Sequence, residues 1–287
     1  MSRYVKKSDD ILNLEKELSE YLQSNQKEEA ISVLHSLSYE YSSLMFACTD
    51  MPNGKSMKDH QIISERECIN QQFLLTKQLA EFGNVYGQLE LGQLYWKGPK
   101  YRCSDDAAES VYKKDRKLAA YWLEQAANQG NEDAMVWLGS VLFDVELERS
   151  IYWYEKAFSA GNTIAYLDLG NHYYHKKQYD EAVSWYMKAY EAGDISALFI
   201  IANTYRDLDD HDNAAFWFRK LASETEAHET DAFQQTNNYR RSGNYFAEQG
   251  DMKTALELYE KGLQAAKDAK NDSFIQKIQE AIAKCRK

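Results

Sequence analysis

Apolar residues recur along most of this chain at intervals of three and four, the spacing that gathers side chains onto one face of a helix. Over 9–24, Ile11, Leu14, Leu18 and Leu22 form such a stripe, and over 27–48 Ala30, Val33, Leu34 and Leu37 form another. Ser24-Asn25 supplies a turn and a cap between them, which predicts one helical hairpin. The polar stretch 49–60 contains Pro52-Asn53-Gly54, a strong turn signal, and reads as a loop. Helical periodicity returns over 62–82, and no stretch of the chain makes a convincing strand.

From Val85 onward the pattern repeats. The phrases AAYWLEQA, SIYWYEKA, AVSWYMKA and AAFWFRKL carry Trp122, Trp153, Trp185 and Trp217, separated by 31, 32 and 32 residues. Self-similarity at this period marks a solenoid, in which one supersecondary unit stacks on copies of itself. Each copy holds two predicted helices. In the second, Ala182, Trp185, Tyr186 and Ala189 fall at helical spacing, as do Ala119, Trp122, Leu123 and Ala126. Small residues let neighbouring helices approach and aromatics fill the remaining space, so the tryptophans are assigned to the core, each contributing about 3–5 kcal/mol. Gly130, Gly161 and Gly193 are placed to close the second helices, and Asn131, Asn162 and Asp194 to cap the next copy. The chain divides on this basis into an N-terminal helical region with a degenerate repeat (1–84), five repeats (85–270) and a C-terminal capping helix (271–287).

At these residues the chain resembles Sel1-like repeat proteins, a branch of the tetratricopeptide-type helical solenoids. The match is best from Gly87 to Ala134, where LGQLYWKG, DRKLAAYWLEQAANQGN and DA resemble the family signature almost in order. Copies two to four are shorter than a usual Sel1 unit and lack its glycine-containing link, so QYDEAVSWYMKAYEAGD looks more like a plain tetratricopeptide repeat. The first copy instead carries an insertion over 99–114. The resemblance implies an all-α, right-handed superhelical solenoid of tandem helix-turn-helix repeats. It also implies an adaptor whose concave face is lined by the first helix of every copy.

On that helix, the residue after the LG-type pair is Gln93, Ser140, Asn171, Asn203 and Asn244 in successive copies, polar every time. An amide offers donors and an acceptor to an extended chain, and in related tetratricopeptide proteins asparagines at this place hold a peptide's backbone or terminal carboxylate. One turn further stand Trp96, Phe143, Tyr174, Arg206 and Ala247, a varied series suited to specificity. Trp96, Tyr174, Arg206 and Arg240 are expected anchors, because aromatic and Arg side chains dominate interface hot spots. The competing expectation is that the polar line serves packing within the protein.

Composition narrows the remaining choices. Lys and Arg total 34 against 45 Asp and Glu, a formal charge of −11 that repels polyanions and argues against nucleic acid. Cys48, Cys68, Cys103 and Cys285 form no metal or disulfide pattern, which fits a cytoplasmic protein. The N-terminus lacks an export signal, and no apolar run reaches membrane-spanning length. His172 and His175 make an HxxH without a third ligand, and Asp209, Asp210, His211 and Asp212 lack a complete calcium loop, so no metal or other cofactor is expected. No nucleophile motif or phosphate loop is present. The sequence therefore predicts a non-enzymatic module that binds a protein or peptide, either neutralising a toxin or effector as an immunity protein would or acting as a regulatory scaffold or adaptor in signalling or envelope assembly. An enzyme, or a glycan or nucleic-acid binder, with its site outside the repeats is the alternative.

Overall fold

The computed structural model describes residues 3–7, 9–24, 26–47, 49–50, 62–98, 112–228 and 231–286. Residues 51–60 of the expected loop and 99–111 of the insertion lie outside this range. Residues 229 and 230 lie outside it as well. The chain forms two compact units, Met1–Asn162 and Thr163–Lys287, so the division falls between the second and third copies.

The first unit holds α1 (Asp9–Gln23), α2 (Lys27–Ala47), α3 (Glu65–Glu81), α4 (Val85–Lys97), α5 (Arg116–Asn128), α6 (Glu132–Leu142) and α7 (Leu147–Ser159). Successive helices pack on one another. Ile11 and Leu18 bury the predicted stripe of α1 against Ala30, Val33, Leu34 and Leu37 of α2, although Leu22 stays exposed at the helix end. The N-terminal region also contains strands, contrary to the expectation from periodicity. Three short ones, β1 (Arg3–Lys6), β2 (Thr49–Asp50) and β3 (Ile62–Ser64), pair antiparallel in the order β2-β1-β3. Tyr4 pairs with Thr49 on one side and with Ser64 on the other. Segments of two to four residues are too short to display a period of two, and their pairing spans most of the N-terminal region.

The second unit is entirely helical among its described residues: α8 (Ala165–His175), α9 (Tyr179–Glu191), α10 (Ser196–Asp207), α11 (His211–His228), α12 (Ala232–Glu248), α13 (Met252–Asp268) and α14 (Asp272–Cys285). Its core runs through Leu198, Ala202, Ala214, Phe218, Tyr245, Tyr259 and Ile278, so α14 closes the C-terminal end by burying Ile278 and Ile282. Both units are thus stacks of helical hairpins of the kind the repeat predicts.

The repeat's stop signals operate as backbone geometry. Gly193, at φ 101°, ends α9, and the amides of Gly193 and Asp194 return to the carbonyls of Tyr190 and Ala189 at 2.9 and 3.0 Å. This pattern satisfies two orphan carbonyls and requires a left-handed residue. Asn131 caps α6 by accepting from the Ala134 amide at 2.7 Å, and Asp194 accepts from the Ser196 amide at 2.9 Å. Asn162 differs, since its side-chain amide donates to Asp133 at 3.2 Å.

The tryptophans also sit differently from the expectation. Trp153 is buried, but Trp122, Trp185 and Trp217 are half-buried, and the deepest side chains are those one residue later: Leu123, Tyr154, Tyr186 and Phe218. Helical geometry explains the difference. Ala182, Tyr186 and Ala189, at intervals of four and three, define the centre of the buried stripe, while Trp185 lies to its side. The outer ring face of Trp185 is covered by the Lys188 ammonium, 3.7 Å from its centroid.

Candidate functional site

The polar line of the first helices is built together with the buried stripe of the second. In the third copy, a Cβ at Gly170 would stand 2.4 Å from Tyr186 Cε1, so only glycine lets the Tyr186 ring lie against α8. The ring then delivers its hydroxyl to the next residue, donating to Asn171 Oδ1 at 2.8 Å. The fifth copy repeats the device, with Gly243 beneath Tyr259 and the Tyr259 hydroxyl donating to Asn244 Oδ1 at 2.8 Å. In the second copy Gly139 lies beneath Tyr154, whose hydroxyl is 2.7 Å from Ser140 Oγ. Burial pushes the Tyr186 and Tyr259 hydroxyls up, Tyr259 to about 12, so both remain proton donors to these partners.

The polar series therefore has a structural duty in three copies. Its members are half-buried, and their carbonyl or hydroxyl oxygens face a tyrosine of the same hairpin. Close by on α8, burial pushes the Asp168 carboxyl upward, while the Asn171 side chain favours its charged form. The exceptions are the first and fourth copies. Leu123 replaces the tyrosine opposite Gln93, and Phe218 replaces it opposite Asn203. Ala202 stands where the others have glycine. With no hydroxyl to accept from, Asn203 turns its amide to the Phe199 carbonyl at 2.7 Å.

The expected anchors fall into two sets, one in each unit. Trp96 and Gln93 lie on α4 with Ser140 on α6 in the first unit, and the Arg116 guanidinium sits 5.3 Å from the Trp96 centroid. In the second unit, Tyr174 donates its hydroxyl to the Asp207 carboxylate, a bond that with burial pushes its pKa up to about 12. Arg206 is 3.8 Å from Asp207 and largely solvated. Arg240 donates to Asn237 Oδ1 at 3.3 Å and lies 5.7 Å from the Phe274 centroid, while its Nε is buried without a hydrogen-bond partner. Arg241, which the sequence did not single out, stacks 4.1 Å from the Phe199 centroid. Its pKa is lowered by burial and then by the Arg240 charge.

Elsewhere, an open cleft of about 430 Å³ lies between α1, α2 and α3, floored by Leu18, Leu37, Tyr41 and Leu75. At its edge Tyr41 donates to Glu15, which Lys7 also contacts at 2.7 Å. Sequence periodicity locates the apolar floor but not the gap. Around 209–212, Asp210 caps α11 by accepting from the Asn213 amide at 3.1 Å, consistent with a solvated turn. Among the described residues no group of three or more His, Cys, Asp and Glu side chains gathers to hold a metal ion, and no helix is long and apolar enough to cross a membrane.

The Sel1 repeat family matches residues 85–131 and 133–162, and the tetratricopeptide repeat family matches 164–192 and 195–228. No curated protein matches by sequence. Among solved structures the chain is similar to c5321, a protective antigen of uropathogenic Escherichia coli strains displaying an SLR fold, at 21% identity and TM-score 0.47 over 87% of this chain and 52% of that one. The chain thus spans about half the length of that protein. It is also similar to a Sel1 repeat protein from Oxalobacter formigenes, at 20% identity and TM-score 0.42 over 84% of this chain and 89% of that one. A third likeness is to YrrB, described as a tetratricopeptide protein with an unusual peptide-binding site, at 16% identity and TM-score 0.37 over 71% and 97% of the two chains.

Proposed function

We propose that this Sel1-like and tetratricopeptide repeat protein is a non-enzymatic binding module that holds an extended segment of a partner protein on the first helices of its repeats. Such repeats generally mediate protein–protein interaction. The observation that carries the reading here is the placement of Asn171, Asn203 and Asn244 at one corresponding position on α8, α10 and α12. Arg206 and Arg240 stand within about a turn of Asn203 and Asn244 on the same helices. Two of these amides are clamped by tyrosine hydroxyls, so little side-chain entropy remains to be lost when a chain docks against them. The four cysteines are scattered along the sequence without a CxxC pair, which suits a reducing, cytoplasmic setting. A toxin-neutralising protein and an adaptor would use this same face, so the identity of the partner names the role.

The test is affinity capture from source-cell lysate with the wild type and with an Asn203→Ala, Arg206→Ala, Arg240→Ala variant. None of these three side chains holds a tyrosine hydroxyl, so the fold should survive, as circular dichroism would verify. A partner held by the wild type and lost from the variant is the expected result. Equal retention places the site elsewhere.

A further inference from the structure

The fourth copy breaks the rule its neighbours obey, and the break leaves a polar atom available. In the third and fifth copies the asparagine carbonyl oxygen accepts a tyrosine hydroxyl. Opposite Asn203 stands Phe218, which has no hydroxyl and whose ring is 6.3 Å from that of Phe199. Because the Asn203 amide nitrogen donates to the Phe199 carbonyl, the orientation of the side chain is set, and its Oδ1 accepts no hydrogen bond from the described residues. The same Phe199 supplies the surface on which Arg241 lies. Asn203 on α10 and Arg241 on α12 thus both contact Phe199, the first at its backbone carbonyl and the second at its ring.

Carboxylates outnumber cations, at 45 Asp and Glu against 34 Lys and Arg, yet neither Arg240 nor Arg241 pairs with one among the described residues. Both are held by aromatic rings, Arg241 by Phe199 and Arg240 by Phe274, and Arg240 Nε is buried with no acceptor. Two half-buried guanidinium groups on consecutive residues repel each other, and a desolvated cation without a counter-charge is costly. An incoming oxyanion would relieve both effects, and Arg stacked on a ring presents its fork ready-oriented for a carboxylate.

We propose that Asn203, Arg240 and Arg241 form the specificity site of the second unit, taking an extended partner segment that carries an internal acidic side chain. A backbone N–H of that segment donates to Asn203 Oδ1, and its Asp or Glu carboxylate accepts from Arg241 with Arg240 beside it. This inference rests on the peptide-binding reading above and adds the partner's chemistry and the repeat that reads it.

The test uses the full-length protein and a displayed library of random dodecapeptides fused at both ends, so that no free carboxyl terminus is offered. Enrichment of peptides with internal Asp or Glu is expected. A selected peptide should lose roughly tenfold in affinity to Arg241→Gln, and as much when its own acidic residue is changed to the amide. Ala202→Gly combined with Phe218→Tyr restores the glycine–tyrosine pair of the third and fifth copies, supplies the missing hydroxyl to Asn203 and should weaken the same peptide about threefold or more while the protein remains folded. Enrichment of peptides without acidic residues, or binding indifferent to Arg241→Gln or to the Ala202→Gly, Phe218→Tyr pair, would overturn the acidic-segment site and leave peptide binding standing. Selection of no peptide at all would overturn both.

Discussion

The third and fourth copies solve one packing problem in two ways. In the third, Gly170 makes room for Tyr186, and the tyrosine hydroxyl secures Asn171. In the fourth, Ala202 fills that room, Phe218 packs without a hydroxyl, and Asn203 bonds to its own helix instead. Glycine, tyrosine and asparagine therefore act as a set, as do alanine and phenylalanine. The difference teaches that a position which reads as a uniform polar line can be structural in one copy and available in the next.

Each element of this comparison can be broken in turn. The largest effect is expected from Tyr186→Ala, which removes a fully buried ring and should cost about 3–5 kcal/mol in chemical denaturation, whereas Trp185→Ala should cost less because Trp185 is half-buried. Equal losses would mean that depth of burial does not rank the two aromatics. Next comes Gly170→Ala, whose new Cβ would meet the Tyr186 ring at 2.4 Å, for an expected loss of about 1–3 kcal/mol. The reverse exchange, Ala202→Gly, has no ring to relieve and should lose only about 0.5–1 kcal/mol through backbone entropy and a small void. Of similar size, Tyr186→Phe should cost about 0.5–1.5 kcal/mol, since one neutral hydrogen bond is lost. A denaturation midpoint unchanged by Tyr186→Phe would show that the hydroxyl bond contributes nothing net.

The least effect concerns pH. The folded protein holds the Tyr259 proton more tightly than the unfolded chain does, with a pKa of about 12 caused first by burial. Tyrosines of the unfolded chain titrate near pH ~10, so this contribution is fully present below that value and is lost as pH rises through the folded-state pKa. Thermal melts between these limits should show declining stability, and Tyr259→Phe should flatten the decline. An identical slope in the variant would remove Tyr259 from the account.

Much of this was legible without coordinates. The hairpin boundaries come from apolar spacing, and the capping helix expected within 271–287 is α14, Asp272–Cys285. Gly193 was recognisable as a helix stop because only a residue without Cβ takes φ 101° cheaply there. The site was less legible. The asparagine line stood out, but its tyrosine partners lie 15 residues away on the other helix of the hairpin, and no local pattern ties the two. Arg241 carries no signal in the sequence because its environment is made by Phe199 on a different hairpin.

Amino-acid order by itself determined the helices, their stops, the repeat period and the small-to-large alternation, because these depend on residues within a turn or two of one another. Tertiary structure decided the rest. It set which aromatic reaches the centre of the core, which asparagine is consumed by a hydroxyl, and which arginines lie on rings rather than on carboxylates. Those outcomes depend on side chains meeting from separate helices, where displacing a ring by the width of one Cβ changes which polar atoms find a partner.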